Sequence, residues 1–283
     1  MRLYSIKTSE GYVGAIANDN RIITLSDLNG RIGTTFPTQV LEIIRSSDLT
    51  ALRTQSEGWI AQIGRSMESV EFSAPFYNPP KILGIGLNYH EHAVDLGAEQ
   101  PSEPATFMKP RTTIIGPRNA IVLPPQSKRV TAEAELGIVI GKRCKHVGEI
   151  DADSVIFGYY PALDMTAEDI LQRNPRFLTR AKSFDTFLSF GPVILTADEI
   201  SGDLSELTIT TVLNGKSIRS NRISNMRFSP HQLVSFLSDA MTLEPGDLIL
   251  TGTPGAVAIK DGDVVECRID GFPTLSNPVV KEK

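Results

Sequence analysis

The chain has 283 residues, 41% of them hydrophobic and 22% charged, with a formal net charge of −5 from 28 basic and 33 acidic side chains. That length and composition suit one large globular domain, or one domain with a smaller companion, with enough apolar residues for a sizeable core. The charge balance and the lack of a basic stripe argue against a nucleic-acid partner, and two cysteines, Cys144 and Cys267, imply no disulfide framework.

The opening MRLYSIKTSEGYVG lacks the apolar h-region of a signal peptide. No apolar stretch reaches the roughly 18 residues of a membrane helix, so a cytoplasmic protein without a membrane partner is expected. RLYSI, GYVGAIAN and RIITL read as strands, with a turn at NDN. FPTQVLEIIRS and DLTALRTQSEGWIAQIG read as amphipathic helices. EFSAPFYNPPK then brings three prolines close together, near residues 72 to 80. This marks a boundary between a small N-terminal unit over residues 1–75 and a larger unit over 76–283. Past it, KILGIGLNY reads as a buried-type strand. Further strands are expected at AIVLP, AELGIVIG, VIFGYYPALD, GPVILT, LTITTVLNG, DLILTG and DVVECRID. Helices are expected only after Tyr89, after Asp164 and over SPHQLVSFLSDAM. Strands that dominate without alternating regularly with helices argue against a Rossmann sheet or a TIM barrel. They predict a mixed, β-rich α+β fold.

Acids placed in apolar strands are the main chemical signal. In TAEAELGIVIGK, alternation puts Glu133 and Glu135 on one face of a strand, about 7 Å apart along it, where they repel unless a positive group intervenes. Asp164 ends a second apolar strand, ahead of a helix for which Thr166 is the expected N-cap and Glu168 and Asp169 the first turn. Three carboxylates from two strands supply hard oxygen ligands for Mg²⁺, Mn²⁺ or Ca²⁺. In GIGLNYHEHAVDLG, His90 and His92 form an H-x-H pair; on a helix, His92 and Asp95 are neighbours, with the carboxylate orienting the imidazole as in a general base. Lys182 in RAKSFDTF stands between Arg180 and Asp185 and suits an anionic substrate. PGDLILTGTPG ends a strand in a turn whose backbone N–H groups suit a carboxylate. Each feature also has a plain structural reading: a solvated strand end, a surface His–Asp pair, a solvated lysine, a tight turn.

The segments GLNYHEHA, FMKP, AEAELGIVIGK, GYYPALDMTAED, AKSFDTF, GPVILTADEI, LNG and LEPGDLILTGTPG stand in the order seen in the fumarylacetoacetate hydrolase family. The chain resembles that family from about residue 80 to 275, and the N-terminal region resembles the small extra domain of many bacterial members. The resemblance implies a β-rich mixed-sheet roll and a homodimer with one Mg²⁺ or Mn²⁺ per subunit, Ca²⁺ substituting in vitro. Glu133, Glu135 and Asp164 would be the ligands. His92 takes the position of the family's base, and Asp95 that of a Glu partner on a mobile lid. Lys182 takes that of the lysine facing the substrate, and Thr253 that of the residue binding its carboxylate. Lys109 of FMKP and Arg180 complete the substrate-binding positions. The implied reaction is hydrolysis of a C–C bond in a 2,4-dioxo (acylpyruvate-like) acid, in which His92 takes a proton from water and Lys182 helps stabilise the departing enolate.

Two positions depart from the family pattern. Where family hydrolases usually carry Arg and Gln, four and seven residues after the third ligand, this chain has Glu168 and Leu171. Neither an ionised carboxylate nor an alkyl group donates a hydrogen bond. Arg173, Arg176 and Arg180 are the nearby substitutes. Three readings stay open: C–C hydrolysis; decarboxylation, isomerisation or hydration of a 2-oxo acid through an enolate; and a non-enzymatic metal-binding protein.

Overall fold

A computed structural model of the chain describes residues 1–9, 11–46, 49–200 and 202–282. Two sheets carry the architecture. The larger runs, in spatial order, through Arg65–Ser66, Arg21–Thr24, Gly11–Ala17, Arg2–Thr8, Val193–Thr196, Ile156–Ala167, Val130–Ile140, Leu248–Leu250, Ile82–Gly86 and Ala105–Met108. The smaller orders Lys216–Arg222, Thr208–Leu213, Val264–Ile269, Leu275–Lys281 and Ile121–Leu123. Most pairings are antiparallel; Leu248–Leu250 with Ile82–Gly86, and Leu275–Lys281 with Ile121–Leu123, are parallel. This is the β-rich α+β fold that the sequence predicts.

Residues 1–75 extend the larger sheet, through the pairing of Leu3 with Ile194, and add the helices Val40–Ser46 and Leu49–Ile63. The second helix was expected from Asp48, which lies outside the described residues. RIITL departs from expectation by one residue. Thr24 ends the strand and its hydroxyl accepts from the Asp27 N–H at 2.9 Å, so Leu25 opens a helix running to Ile32. A threonine oxygen that satisfies an orphan helical N–H favours the switch from strand to helix at that residue.

At the centre, Val130–Ile140 and Ile156–Ala167 pair antiparallel, with every residue buried. Burial on both faces is why these segments read as near-continuous apolar runs. On one face, Ala132, Ala134, Leu136 and Ile138 share a core with Ile209, Val265, Cys267 and Leu275 of the smaller sheet and with Leu233 and Leu237 of the helix Pro230–Ala240. On the opposite face, Val139 and Tyr160 join a core with Leu3, Ile16 and Ile44. Gly137 has no side chain because the Tyr160 ring, directly across the ladder, fills its place; a Cβ there would fall 2.1 Å from the ring. Beyond Gly137 the same face turns acidic.

Candidate active site

Glu133 stands directly opposite Asp164 across the ladder, and Glu135 lies two residues along, opposite Ala162. Period-two alternation therefore sends all three carboxylates to one face. One oxygen from each lies within 4.8 Å of the others. The three residues are 6%, 1% and 0% exposed, so the solvated-strand-end reading does not hold.

Charges this deep need partners. Lys182 Nζ bonds Glu133 Oε2 at 2.9 Å and Asp164 Oδ2 at 2.6 Å. Lys109 Nζ bonds Asp164 Oδ1 at 2.6 Å and the Lys182 carbonyl oxygen. Burial alone would raise the Asp164 carboxyl, but the two ammonium groups hold it below the usual carboxylate range. Burial likewise works against the Lys182 ammonium, and Asp164 and Glu133 override it, holding its pKa above the ordinary lysine value. Lys109, wholly buried beside that second cation, is pushed down by its burial. Glu135 has no lysine at ion-pairing distance among the described residues; its Oε2 accepts from Gly252 N at 2.6 Å. Burial, then Asp164 and Glu133, push its carboxyl well above the usual range.

The site thus contains an oxygen-only donor set with one carboxylate left uncompensated. That matches a hard divalent cation of the Mg²⁺, Mn²⁺ or Ca²⁺ type rather than a thiolate- or imidazole-bound metal. Among the described residues, no other group of three or more His, Cys, Asp and Glu side chains converges in this way.

Thr166 is not the expected helix cap. The ladder continues through Thr131↔Thr166 to Val130↔Ala167, which commits its backbone to the strand, and the helix Glu168–Arg173 begins after it. Its hydroxyl instead donates to Glu133 Oε1 at 2.9 Å. Gly252 is held by its role at the site. Its φ of 95° is in the left-handed region, and a Cβ there would lie 2.8 Å from Asn88 Cβ. Gly252→Ala is expected to destabilise the protein by more than about 1 kcal/mol. It should also weaken divalent-ion binding by displacing the N–H from Glu135; thermal melts with and without Mg²⁺ check both effects, and an unchanged metal shift would refute the second.

A cavity of about 560 Å³ opens beside Glu133, the member of the triad that lines it. Its polar wall includes Glu133, Thr166, Lys182, His92 and Thr253, and its far wall is apolar: Leu87, Leu96, Phe107, Leu171 and Leu178. Lys182 Nζ also lies 4.8 Å from the centre of the Phe107 ring. His92 and Asp95 occupy the helix His90–Asp95, as expected, but do not pair. Asp95 Oδ2 meets Arg219 Nη2 at 2.9 Å, while His92 Nδ1 is buried without a partner among the described residues. Burial lowers the His92 pKa below the ordinary value, which favours the neutral ring. His90 is exposed.

The structure brings Glu133, Glu135, Asp164, Lys182, His92 and Thr253 together. Lys109 packs behind Asp164, and Arg180 is exposed; neither lines the cavity. Arg173 and Arg176 are also exposed and away from it. Instead Glu168 is held by Arg129 Nε at 2.6 Å and Gln172 Nε2 at 2.9 Å. Sequence reasoning missed Arg129, Arg219 and Tyr160, whose buried hydroxyl, on the acid-bearing face, lacks a partner among the described residues. Arg129 had a visible signal, since with Lys128 it forms a pair of cations at the mouth of the glutamate strand.

Residues 81–280 match the fumarylacetoacetate (FAA) hydrolase C-terminal family. The chain belongs to that family. It is 36% identical over 240 residues to the mitochondrial oxaloacetate tautomerase Fahd2a of Rattus norvegicus, covering 82% of this chain and 76% of the relative. Two solved family structures align over 100% of both chains. The 5-carboxymethyl-2-hydroxymuconate delta-isomerase of Mycobacterium smegmatis is 32% identical with a TM-score of 0.79. The maleylpyruvate hydrolase of Sphingobium sp. SYK-6, solved with manganese(II) and pyruvate, is 29% identical with a TM-score of 0.82. No helix among the described residues is long and apolar enough to cross a membrane.

Proposed function

We propose that this family member catalyses proton transfer at the carbon beside the keto group of a small 2-oxo acid, a tautomerase- or isomerase-type reaction that depends on a divalent ion. One observation carries the reading: His92 stands against the cavity with Nδ1 buried and unpartnered among the described residues, its expected carboxylate partner engaged by Arg219. Glu168 and Leu171, where hydrolases of the family place donors, point the same way. Glu133, Glu135 and Asp164 would hold Mg²⁺ or Mn²⁺, which when bound supplies electrophilic stabilisation of the charge on the oxygens of a 2-oxo acid. His92 takes the proton from the carbon or from the enol hydroxyl and returns it to the other; one C–H bond and one O–H bond exchange, and no water is consumed. The Lys182 ammonium offers positive charge to the enolate. Thr253 and its turn hold the substrate carboxylate, and the apolar wall limits water around the enolate. We assign catalysis to residues 76–283, with 1–75 as an accessory unit, in a cytoplasmic homodimer.

A second reading, C–C hydrolysis of an acylpyruvate, is favoured by the likeness to the maleylpyruvate hydrolase. It requires Asp95 to leave Arg219 and orient His92 toward water.

The two separate by NMR of the Mg²⁺- or Mn²⁺-loaded protein with oxaloacetate, acetylpyruvate and fumarylpyruvate in D₂O. Metal-dependent keto–enol conversion and deuterium uptake at C3 are expected, reduced by roughly 10² or more in His92→Asn. With His92 as base, the rate should hold at neutral pH and fall only on the acid side of 6.5, as the imidazole gains a proton. Pyruvate release from the acylpyruvates would establish hydrolysis instead, and neither outcome would sink both readings.

A further inference from the structure

The cavity beside Glu133 adjoins a smaller polar annex of about 170 Å³, and the two share His92, Leu96, Thr131, Glu168 and Ala256. The main cavity offers one lysine and no arginine, and that lysine is engaged by Glu133 and Asp164. The annex is lined by two guanidinium groups. Arg129 precedes the strand Val130–Ile140, and Arg219 lies on the strand Lys216–Arg222 of the smaller sheet.

A guanidinium has five N–H donors. Arg129 directs Nε to Glu168 and Arg219 directs Nη2 to Asp95, so each has further N–H groups to give. Arg219 Nε is buried with no partner among the described residues, a costly state that a ligand oxygen relieves. The Arg219 stem lies against the turn that carries Thr253: a Cβ on Gly255 would fall 2.8 Å from Arg219 Cδ. The guanidinium is therefore held at the cavity margin. Asp95 and Glu168 share the annex and keep its charge near balance, so its attraction for an anion acts at short range, through directed hydrogen bonds.

We propose that Arg219 and Arg129 form a subsite for the distal carboxylate of the substrate, which makes dicarboxylic 2-oxo acids the preferred class. This rests on the reading of the triad as a 2-oxo acid site. A monocarboxylic 2-oxo acid fills the same cavity against Leu171 and Leu178 and leaves the annex donors unused.

Matched probes test it on the Mg²⁺-loaded protein. Oxaloacetate and 2-oxobutyrate, which differ by a carboxylate in place of a methyl, are compared by deuterium exchange at C3. 2-Oxoglutarate and 2-oxovalerate, related in the same way, are compared by calorimetric binding without turnover. Arg219→Gln should weaken the dicarboxylate of each pair about tenfold or more relative to its monocarboxylate partner, with Arg219→Lys intermediate. Arg129→Gln serves as an independent variant should Arg219→Gln fail to fold. Equal losses for both members of a pair, no loss, or no wild-type preference for dicarboxylates would overturn the proposal. Arginine-dependent preference in binding without any exchange would uphold the subsite and refute the proton-transfer reading.

Discussion

Glu135→Gln will raise the thermal midpoint of the metal-free protein and abolish the rise that Mg²⁺ or Mn²⁺ produces in the wild type. Glu135 is buried at 1% exposure, lies beside two other carboxylates and has no lysine at ion-pairing distance among the described residues. A buried charge without a counter-ion costs several kcal/mol, whereas a neutral amide of the same shape still accepts the Gly252 N–H. The gain should be about 1–3 kcal/mol, which is roughly 2–10 °C in a protein of this size. The sign with pH follows from the raised carboxyl. In the wild type, metal-free stability is greatest where Glu135 is protonated, and is lost as pH rises from the ordinary carboxylate range through the higher folded value. That part of the pH dependence should vanish in the glutamine variant. Calorimetric melts in EDTA and in Mg²⁺ decide the matter; a lower midpoint in EDTA would show that Glu135 is compensated by the protein itself.

Lys182→Met should have the opposite effect. The ammonium bonds both Glu133 and Asp164 at a site that is 5% exposed, and methionine removes it while filling the space beside Phe107. Breaking a buried pair from one side typically costs about 3–5 kcal/mol, because the partner charges stay behind. The metal-free midpoint should drop by roughly 6–20 °C. A divalent ion returns positive charge to the same carboxylates, so Mg²⁺ should recover a larger share of stability in this variant than it adds to the wild type. Turnover should nonetheless be lost, since the cation proposed to face the enolate is gone. A variant that melts within about 1 °C of wild type in EDTA would mean that Lys109 alone neutralises the cluster.

The acids and the fold were legible in the sequence for the same reason. A strand buried on both faces must be apolar throughout, so Glu133, Glu135 and Asp164 stood out against the runs that contain them. The helix Pro230–Ala240, expected over SPHQLVSFLSDAM, was equally clear, and its start is fixed by a capping box of Ser229 and Gln232. Elements with little side-chain burial were not. The strand Lys216–Arg222 is polar on both faces and sits at a sheet edge, though Asn214-Gly215, with φ of 50° and 78°, carried a hairpin signal that was not used. Arg219 was missed with it. The His92–Asp95 pair shows a different limit: helical spacing put the two side chains within reach, but a third residue, distant in sequence, holds the carboxylate elsewhere. Thr166 was misread because the same hydroxyl chemistry serves a helix cap or a neighbouring carboxylate, and only the length of the ladder distinguishes them.

The ladder that carries the acids also keeps them from being lost piecemeal. Alternation means that sliding one strand by a single residue would turn Glu133 and Glu135 into the core occupied by Ala134, Leu136 and Ile138, and bring those residues out to the cavity. The ion socket is therefore locked to the same register as the hydrophobic core and is inherited with it. The groups proposed to select a reaction, His92, Asp95, Leu171 and Arg219, ride on two short helices and an edge hairpin that pair with nothing so demanding. Substitutions in these peripheral pieces are therefore expected to alter the chemistry without disturbing the register of the centre.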